Sequence, residues 1–143
     1  MTKTHYVGKC VVVNADGDVL ILLRGETAPR RPLEWDLPGG MVDQTKESYT
    51  DGTLRELTEE TGLIMHPSDT KLVHASTHMY EHADYGSNNV VFIFYVIHVD
   101  NPEIKISWEH DEYKWCKPEE LHDAITYDTH QIPLDYIVEH NLL

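Results

Sequence analysis

Val90–Ile97 is a run of eight apolar residues without a break, and that pattern admits few folds. A strand with one wet face alternates apolar and polar side chains, whereas an unbroken run has to be covered on both faces. Eight residues also fall well short of the roughly 20 that a helix needs to cross a bilayer. The run predicts a central strand in a sheet layered between helices.

The rest of the chain supplies the layers. Val11–Val13 and Val19–Leu23 flank Asn14-Ala15-Asp16-Gly17-Asp18, and an Asp-Gly turn between two β-rich runs predicts a hairpin. Arg24–Leu33, with two prolines, a glycine and three arginines, reads as a loop leading to a short strand at Trp35–Leu37, which Pro38-Gly39-Gly40 ends. Tyr49–Gly62 predicts a helix ending near Thr61, with Gly62 as its stop. Lys71–Tyr80 and Val90–Val99 predict two strands joined by a polar loop, His82–Asn89. Tyr113–Cys116 reads as another strand, Pro118–Ala124 as a short helix and Pro133–His140 as a C-terminal helix. Mixed strands with two or three helices predict an α/β layered domain of the α+β type. A chain of 143 residues without repeat or linker predicts a single domain over 1–143.

Twenty-five Asp and Glu against 11 Lys and Arg give a net charge of −14, which disfavours DNA, RNA or an anionic membrane as partner. A phosphorylated small molecule binds such a chain only where local cations or metal ions override the global field. Cys10 and Cys116 lie in apolar or aromatic stretches outside any Cys-x-x-Cys pair and read as buried free thiols. Met1–Cys10 has no apolar signal core, so the expected location is cytoplasmic. Nothing in the pattern specifies an oligomeric state.

The chemistry concentrates between Gly39 and Leu63. With Glu47 at zero on a helical wheel, Glu56, Glu59 and Glu60 fall near about 180°, 120° and 220°, so three carboxylates share one side. Leu54 and Leu57 occupy a separate face that can pack on a sheet. A Glu-rich helix is ordinarily a solvated face, but like charges at these spacings repel, and Arg55 alone does not balance three carboxylates. A divalent cation would, and oxygen-only donors favour Mg²⁺ or Mn²⁺ over zinc. Pro38-Gly39-Gly40 just before the helix would let backbone groups approach a metal or phosphate closely.

Trp35-Asp36-Leu37-Pro38-Gly39-Gly40, Glu47 and Arg55-Glu56-Leu57-Thr58-Glu59-Glu60-Thr61-Gly62-Leu63 together resemble the Nudix box. Every specified position from Glu47 to Leu63 is filled. Six residues rather than the pattern's five separate Gly40 from Glu47, an insertion in the Asp43–Lys46 loop that leaves Gly39, Gly40 or Met41 to supply the metal-binding carbonyl. The resemblance implies the Nudix fold, a mixed β-sheet sandwiched between α-helices. It also implies a metal and water-activating cluster of Glu56, Glu59 and Glu60, to which Gly40 is the favoured carbonyl donor. Glu56 is then the leading base, and Glu47 and Arg55 form an ion pair bracing loop to helix.

Trp108-Glu109-His110-Asp111-Glu112-Tyr113-Lys114-Trp115 is similar to a segment found in several Nudix hydrolases, and makes Glu109, ahead of Glu112, a candidate further ligand or base. Trp115 reads as a core residue rather than a stacking platform. Arg24 and Arg31, with Gly39 and Gly40, are candidate substrate contacts, since arginines grip phosphates bidentately. His74, His78 and His82, spaced by four on a strand, lie about 13 Å apart in sequence neighbours and do not converge on one zinc ion.

The expected activity is metal-dependent hydrolysis of a nucleoside diphosphate linked to another moiety, with a nucleoside triphosphate or related nucleotide as substrate. Within the same family a dinucleoside polyphosphate or ADP-sugar is the alternative. A catalytically silent nucleotide sensor is a further alternative, against which the intact Glu56, Glu59 and Glu60 argue.

Overall fold

The computed structural model describes residues 3–82 and 86–143. Its strands are β1 (Lys3–Val13), β2 (Val19–Arg24), β3 (Trp35–Asp36), β4 (Gly39–Met41), β5 (Thr70–His82), β6 (Gly86–His98) and β7 (His110–Cys116). The helices are α1 (Tyr49–Thr61), the single-turn α2 (Leu121–Ala124) and α3 (Asp128–Glu139). All seven strands belong to one mixed sheet whose main path runs β3-β2-β1-β6-β5. β1 and β6 are parallel from Lys3 opposite Asn88 to Val13 opposite His98, and the remaining pairings are antiparallel.

β6 lies inside the sheet, and Phe92 to Ile97 are all buried, as its unbroken apolar run requires. Alternation then divides the core. Cys10, Val12, Leu20, Leu22 and Ile97 face α1 through Leu54 and Leu57, while Val11, Val13, Ile21, Phe92, Phe94 and Val96 face Leu134 and Ile137 of α3. Helices thus cover both faces, so the expected layering holds. Trp115 packs against the α1-side cluster, and Cys10 and Cys116 are buried and free. Burial pushes the Cys10 thiol up to about 12.

Several elements differ from their expected form, β1 and β7 by starting earlier, at Lys3 and His110. Pro38-Gly39-Gly40 does not simply end a strand, because Gly39–Met41 forms β4 and pairs with Val7–Lys9 of β1. The C-terminal helix starts at Asp128, five residues before Pro133. Its start lacks a side-chain cap: Tyr127 provides only its carbonyl, to the His130 and Gln131 N–H groups at 2.9 and 2.8 Å. The polar loop expected at His82–Asn89 is shorter, since β5 continues to His82 and β6 begins at Gly86, and backbone pairing carries both strands past the apolar core. The part of that loop at 83–85 lies outside the described residues.

The hairpin β1–β2 closes through Asn14, whose Oδ1 accepts the Asp16 and Asp18 N–H groups at 3.0 and 2.9 Å. Beyond Val13 opposite Val19 the two strands separate. β3 pairs along the same edge of β2, β4 pairs along the same edge of β1, and Asp36-Leu37-Pro38 crosses the gap between them. The Cys10 N–H donates to the Pro38 carbonyl at 2.8 Å to hold that crossing. Among the described residues no helix is long and apolar enough to span a membrane.

Gly39 has φ +137, and a Cβ there would run into the Gly8 and Lys9 backbone, whereas a Cβ at Gly40 would first meet the Glu56 side chain, its carboxyl at 2.7 Å. Gly39→Ala should therefore lower the unfolding free energy by more than about 2 kcal/mol. Gly40→Ala should cost under half as much in equilibrium urea denaturation, since Glu56 can swing aside. Equal losses for the two variants would contradict this account of the crossing.

Candidate active site

Helix α1 presents the acidic face. Ser48 caps its start, accepting the Asp51 N–H at 3.1 Å, and Gly62 closes it by donating to the Thr58 carbonyl at 2.9 Å. Leu54 and Leu57 anchor one side in the core, so Arg55, Glu56 and Glu59 point away from it. Arg55 is the hub. Its Nη2 and Nε donate to the two oxygens of Glu47 at 2.8 and 3.0 Å, its Nη1 to Glu56 and to Glu59 at 3.1 Å each, and Nη2 also to the Met41 carbonyl at 3.3 Å. The Arg55 hydrogen bond, aided by the Asp43 N–H, pulls the Glu47 carboxyl down to about 2. Arg55 is held above its ordinary range, chiefly by Glu47.

Glu56 and Glu60 lie against β4. Glu56 is half-buried, and burial raises its pKa against the pull of Arg55. Glu60 is 6% exposed and accepts the Gly39 N–H at 3.2 Å. Burial pushes Glu60 up to about 8, opposed by Lys9 and by that hydrogen bond. Glu109 is exposed and lines, with Glu60, Lys9, Arg24, Trp108 and His110, a cavity of about 180 Å³. Burial pushes the His110 imidazole in its wall down to about 4. Glu112 lies on β7 opposite Leu23 and lines neither this cavity nor its larger neighbour.

Arg24 and Arg31 meet at a residue absent from the sequence-based candidates. Asp36, 1% exposed, takes Lys9 Nζ, Arg24 Nη1 and Arg31 Nη2 on one oxygen at 3.3, 3.4 and 3.3 Å. Burial alone would raise its pKa, but Lys9, His130 and Arg31 overcome that and hold it well below the carboxylate range. Lys9 sits inside the apolar stretch Val7–Val13. A lysine buried in a strand has to be paired, which was the available signal for the cluster.

No three His, Cys, Asp or Glu side chains among the described residues converge as a ready-made metal site. Arg55 occupies oxygens of Glu56 and Glu59, and Glu60 is turned to Gly39. The donor set nonetheless fits a hard divalent cation: three carboxylates within about one turn of one helix, one of them buried with Lys9 as the cation acting on it, beside a glycine strand. Of the carbonyls open to the sequence reading, that of Met41 is engaged by Arg55, while Gly40 lies against the Glu56 carboxyl.

The NUDIX domain profile matches residues 3–136. A curated relative, nucleoside triphosphatase NudI of Escherichia fergusonii, is 29% identical over 117 residues, covering 78% of this chain and 82% of its own. The crystal structure of a MutT protein from Methanosarcina mazei Go1 superposes with TM-score 0.78 at 25% identity, covering 98% of this chain and 96% of its own. A C. elegans Ap4A hydrolase in a binary complex shares the fold, with TM-score 0.71 at 20% identity over 96% of this chain and 98% of its own. With the profile spanning nearly the whole chain and the acidic helix seated on a glycine strand, the chain belongs to the NUDIX family, as a hydrolase of pyrophosphate bonds.

Proposed function

We propose that the chain, acting as one domain, is a divalent-cation-dependent pyrophosphohydrolase of a nucleoside triphosphate or a related nucleotide. The observation that carries this reading is that one small cavity is lined both by Asp36, Glu60 and Glu109 and by Lys9 and Arg24. It brings acidic groups suited to a cation together with basic groups suited to phosphate. The likeness to a nucleoside triphosphatase supports the choice of substrate.

In this reading Glu56, Glu59 and Glu60, with the Gly40 carbonyl, would hold Mg²⁺ or Mn²⁺. The bound ion would neutralise pyrophosphate oxygens and lower the pKa of the attacking water. Glu56, half-buried and hydrogen-bonded by Arg55, accepts the water proton. Arg55 and Glu47 fix the orientation of that carboxylate. Glu109 reaches the cavity from the opposite loop as a further ligand or base. Lys9, Arg24 and Arg31 offset phosphate charge, leaving in-line displacement at phosphorus to yield a nucleotide and inorganic pyrophosphate.

Hydrolysis of the best substrate should require added Mg²⁺ or Mn²⁺ and stop in excess chelator. Full turnover in chelator would refute the cation dependence. Glu60→Gln keeps an oxygen that can accept the Gly39 N–H but removes the charge, so turnover should fall at least about 100-fold with the fold intact by circular dichroism. A rate within about threefold of wild type would remove Glu60 from the ligand set.

A further inference from the structure

Two cavities share a wall formed by Lys9, Arg24 and Asp36, and they differ in charge. The smaller carries Glu60 and Glu109. The larger, about 550 Å³, adds Arg30 and Arg31 and, among the described residues, a single further carboxylate, Glu81. Among those residues Lys9, Arg24, Arg30 and Arg31 against Asp36 and Glu81 leave an excess of two positive charges, four minus two. The same chain has only 11 Lys and Arg against 25 Asp and Glu. Four of its cations are thus gathered around one cavity.

Neutralising Asp36 does not explain the gathering. Lys9, Arg24 and Arg31 crowd the same Asp36 oxygen, while the other oxygen is taken by the Leu37 N–H at 2.7 Å and faced by His130 Nε2 at 3.2 Å. One carboxylate is matched by one cation, so the others repel one another. Arg31 Nη1 is buried and makes no hydrogen bond, its ion-pair partner Glu34 standing 3.7 Å away. Its guanidinium is fixed 3.5 Å above the Tyr127 ring, and its backbone is in the left-handed region at φ +46. Such a pre-set, under-bonded guanidinium suits a phosphate. An uncharged base would leave the charge excess unmet.

We propose that the larger cavity is a subsite for a second phosphate-bearing part of the substrate, beyond the two phosphates that are separated, with Arg31 as its anchor. Asp36 is then a positioning residue that spaces the cations. This rests on the reading of the chain as a nucleotide pyrophosphohydrolase and narrows it. The terminal phosphate of a nucleoside triphosphate and the second nucleotide of a dinucleoside polyphosphate share the required chemistry, whereas the neutral sugar of ADP-glucose lacks it.

Inorganic tripolyphosphate titrated calorimetrically into the chain in excess chelator tests the subsite apart from catalysis. Arg31→Gln should weaken binding at least about tenfold, and Lys71→Gln, an exposed change outside both cavities, should not. Should Arg31→Gln fail to fold, Arg30→Gln serves as the second variant, with a weakening of at least about threefold expected. Unchanged tripolyphosphate binding in the folded variant, or tighter binding of adenosine than of tripolyphosphate, would overturn the proposal. With Mg²⁺ present, kcat/KM for ATP or diadenosine tetraphosphate should exceed that for ADP-glucose at least about tenfold, mainly through KM, and Arg31→Gln should erase the preference. The relative rates of ATP and diadenosine tetraphosphate tell the two phosphate sources apart. Equal use of all three substrates overturns the subsite. Hydrolysis of none of them overturns the functional reading instead, and the tripolyphosphate titration still decides the subsite.

Discussion

Two carboxylates of helix α1, Glu56 and Glu60, lie against the glycine strand β4, and among the described residues one guanidinium, Arg55, bonds directly to Glu56 and to Glu59. Arg55 also ties the helix to Glu47 before it and to the Met41 carbonyl of β4. Loop, helix and strand therefore share a single cation, and the positions of Glu56 and Glu59 follow from it. Glu60 escapes this arrangement because it is buried on the sheet side, where the Gly39 N–H and Lys9 act on it instead. Two carboxylates held by Arg55 and one held by the strand leave an oxygen-rich surface short of positive charge, which is the condition for recruiting a divalent ion.

The residue count between Gly40 and Glu47 bears directly on this hub. Asp43 gathers the segment into a compact turn: its Oδ1 accepts the Thr45 N–H at 3.1 Å, and its carbonyl accepts the Lys46 and Glu47 N–H groups at 3.0 and 3.1 Å. The Glu47 carboxylate answers by accepting the Asp43 N–H at 3.0 Å. The turn takes up its length on the solvent side, with residues 43–46 exposed, and both Glu47 oxygens still reach Arg55. Spacing along the chain is thus less binding than the end-to-end geometry of Glu47 and Arg55.

Helix α1, the central strand β6 and the β1–β2 turn were legible in the sequence because each rests on a local signal: a helical apolar stripe ending in glycine, an unbroken apolar run, and an Asp-Gly turn. The acidic side of the site was legible for the same reason, since Glu56, Glu59 and Glu60 sit on one helix whose period fixes their directions. Of the basic side only Arg24 and Arg31 were legible, and their meeting with Lys9, Asp36 and His130 was not. Lys9, Arg24, Arg31, Asp36 and His130 come from separate elements, and they meet only because β1 and β2 separate beyond Val13 and Val19 and let Asp36 cross between them. No periodicity encodes a gap between strands. The start of α3 was hidden for a different reason, since Tyr127 caps it by its carbonyl alone and Pro133 draws the eye to a later beginning.

That gap also resolves how a chain of charge −14 can meet a phosphate at all. A uniform acidic surface would repel it, and the roughly 8 Å screening length at physiological salt limits how far the repulsion extends. Within that distance the local arrangement governs. Asp36 holds Lys9, Arg24 and Arg31 together at the junction of the two cavities, and its burial keeps water from screening them. Removing its charge would leave three cations with less reason to stay together, so a buried aspartate, itself anionic, serves to assemble a positive wall. The local field at this wall is therefore set by a sheet opening a few residues long, against the sign of the molecule as a whole.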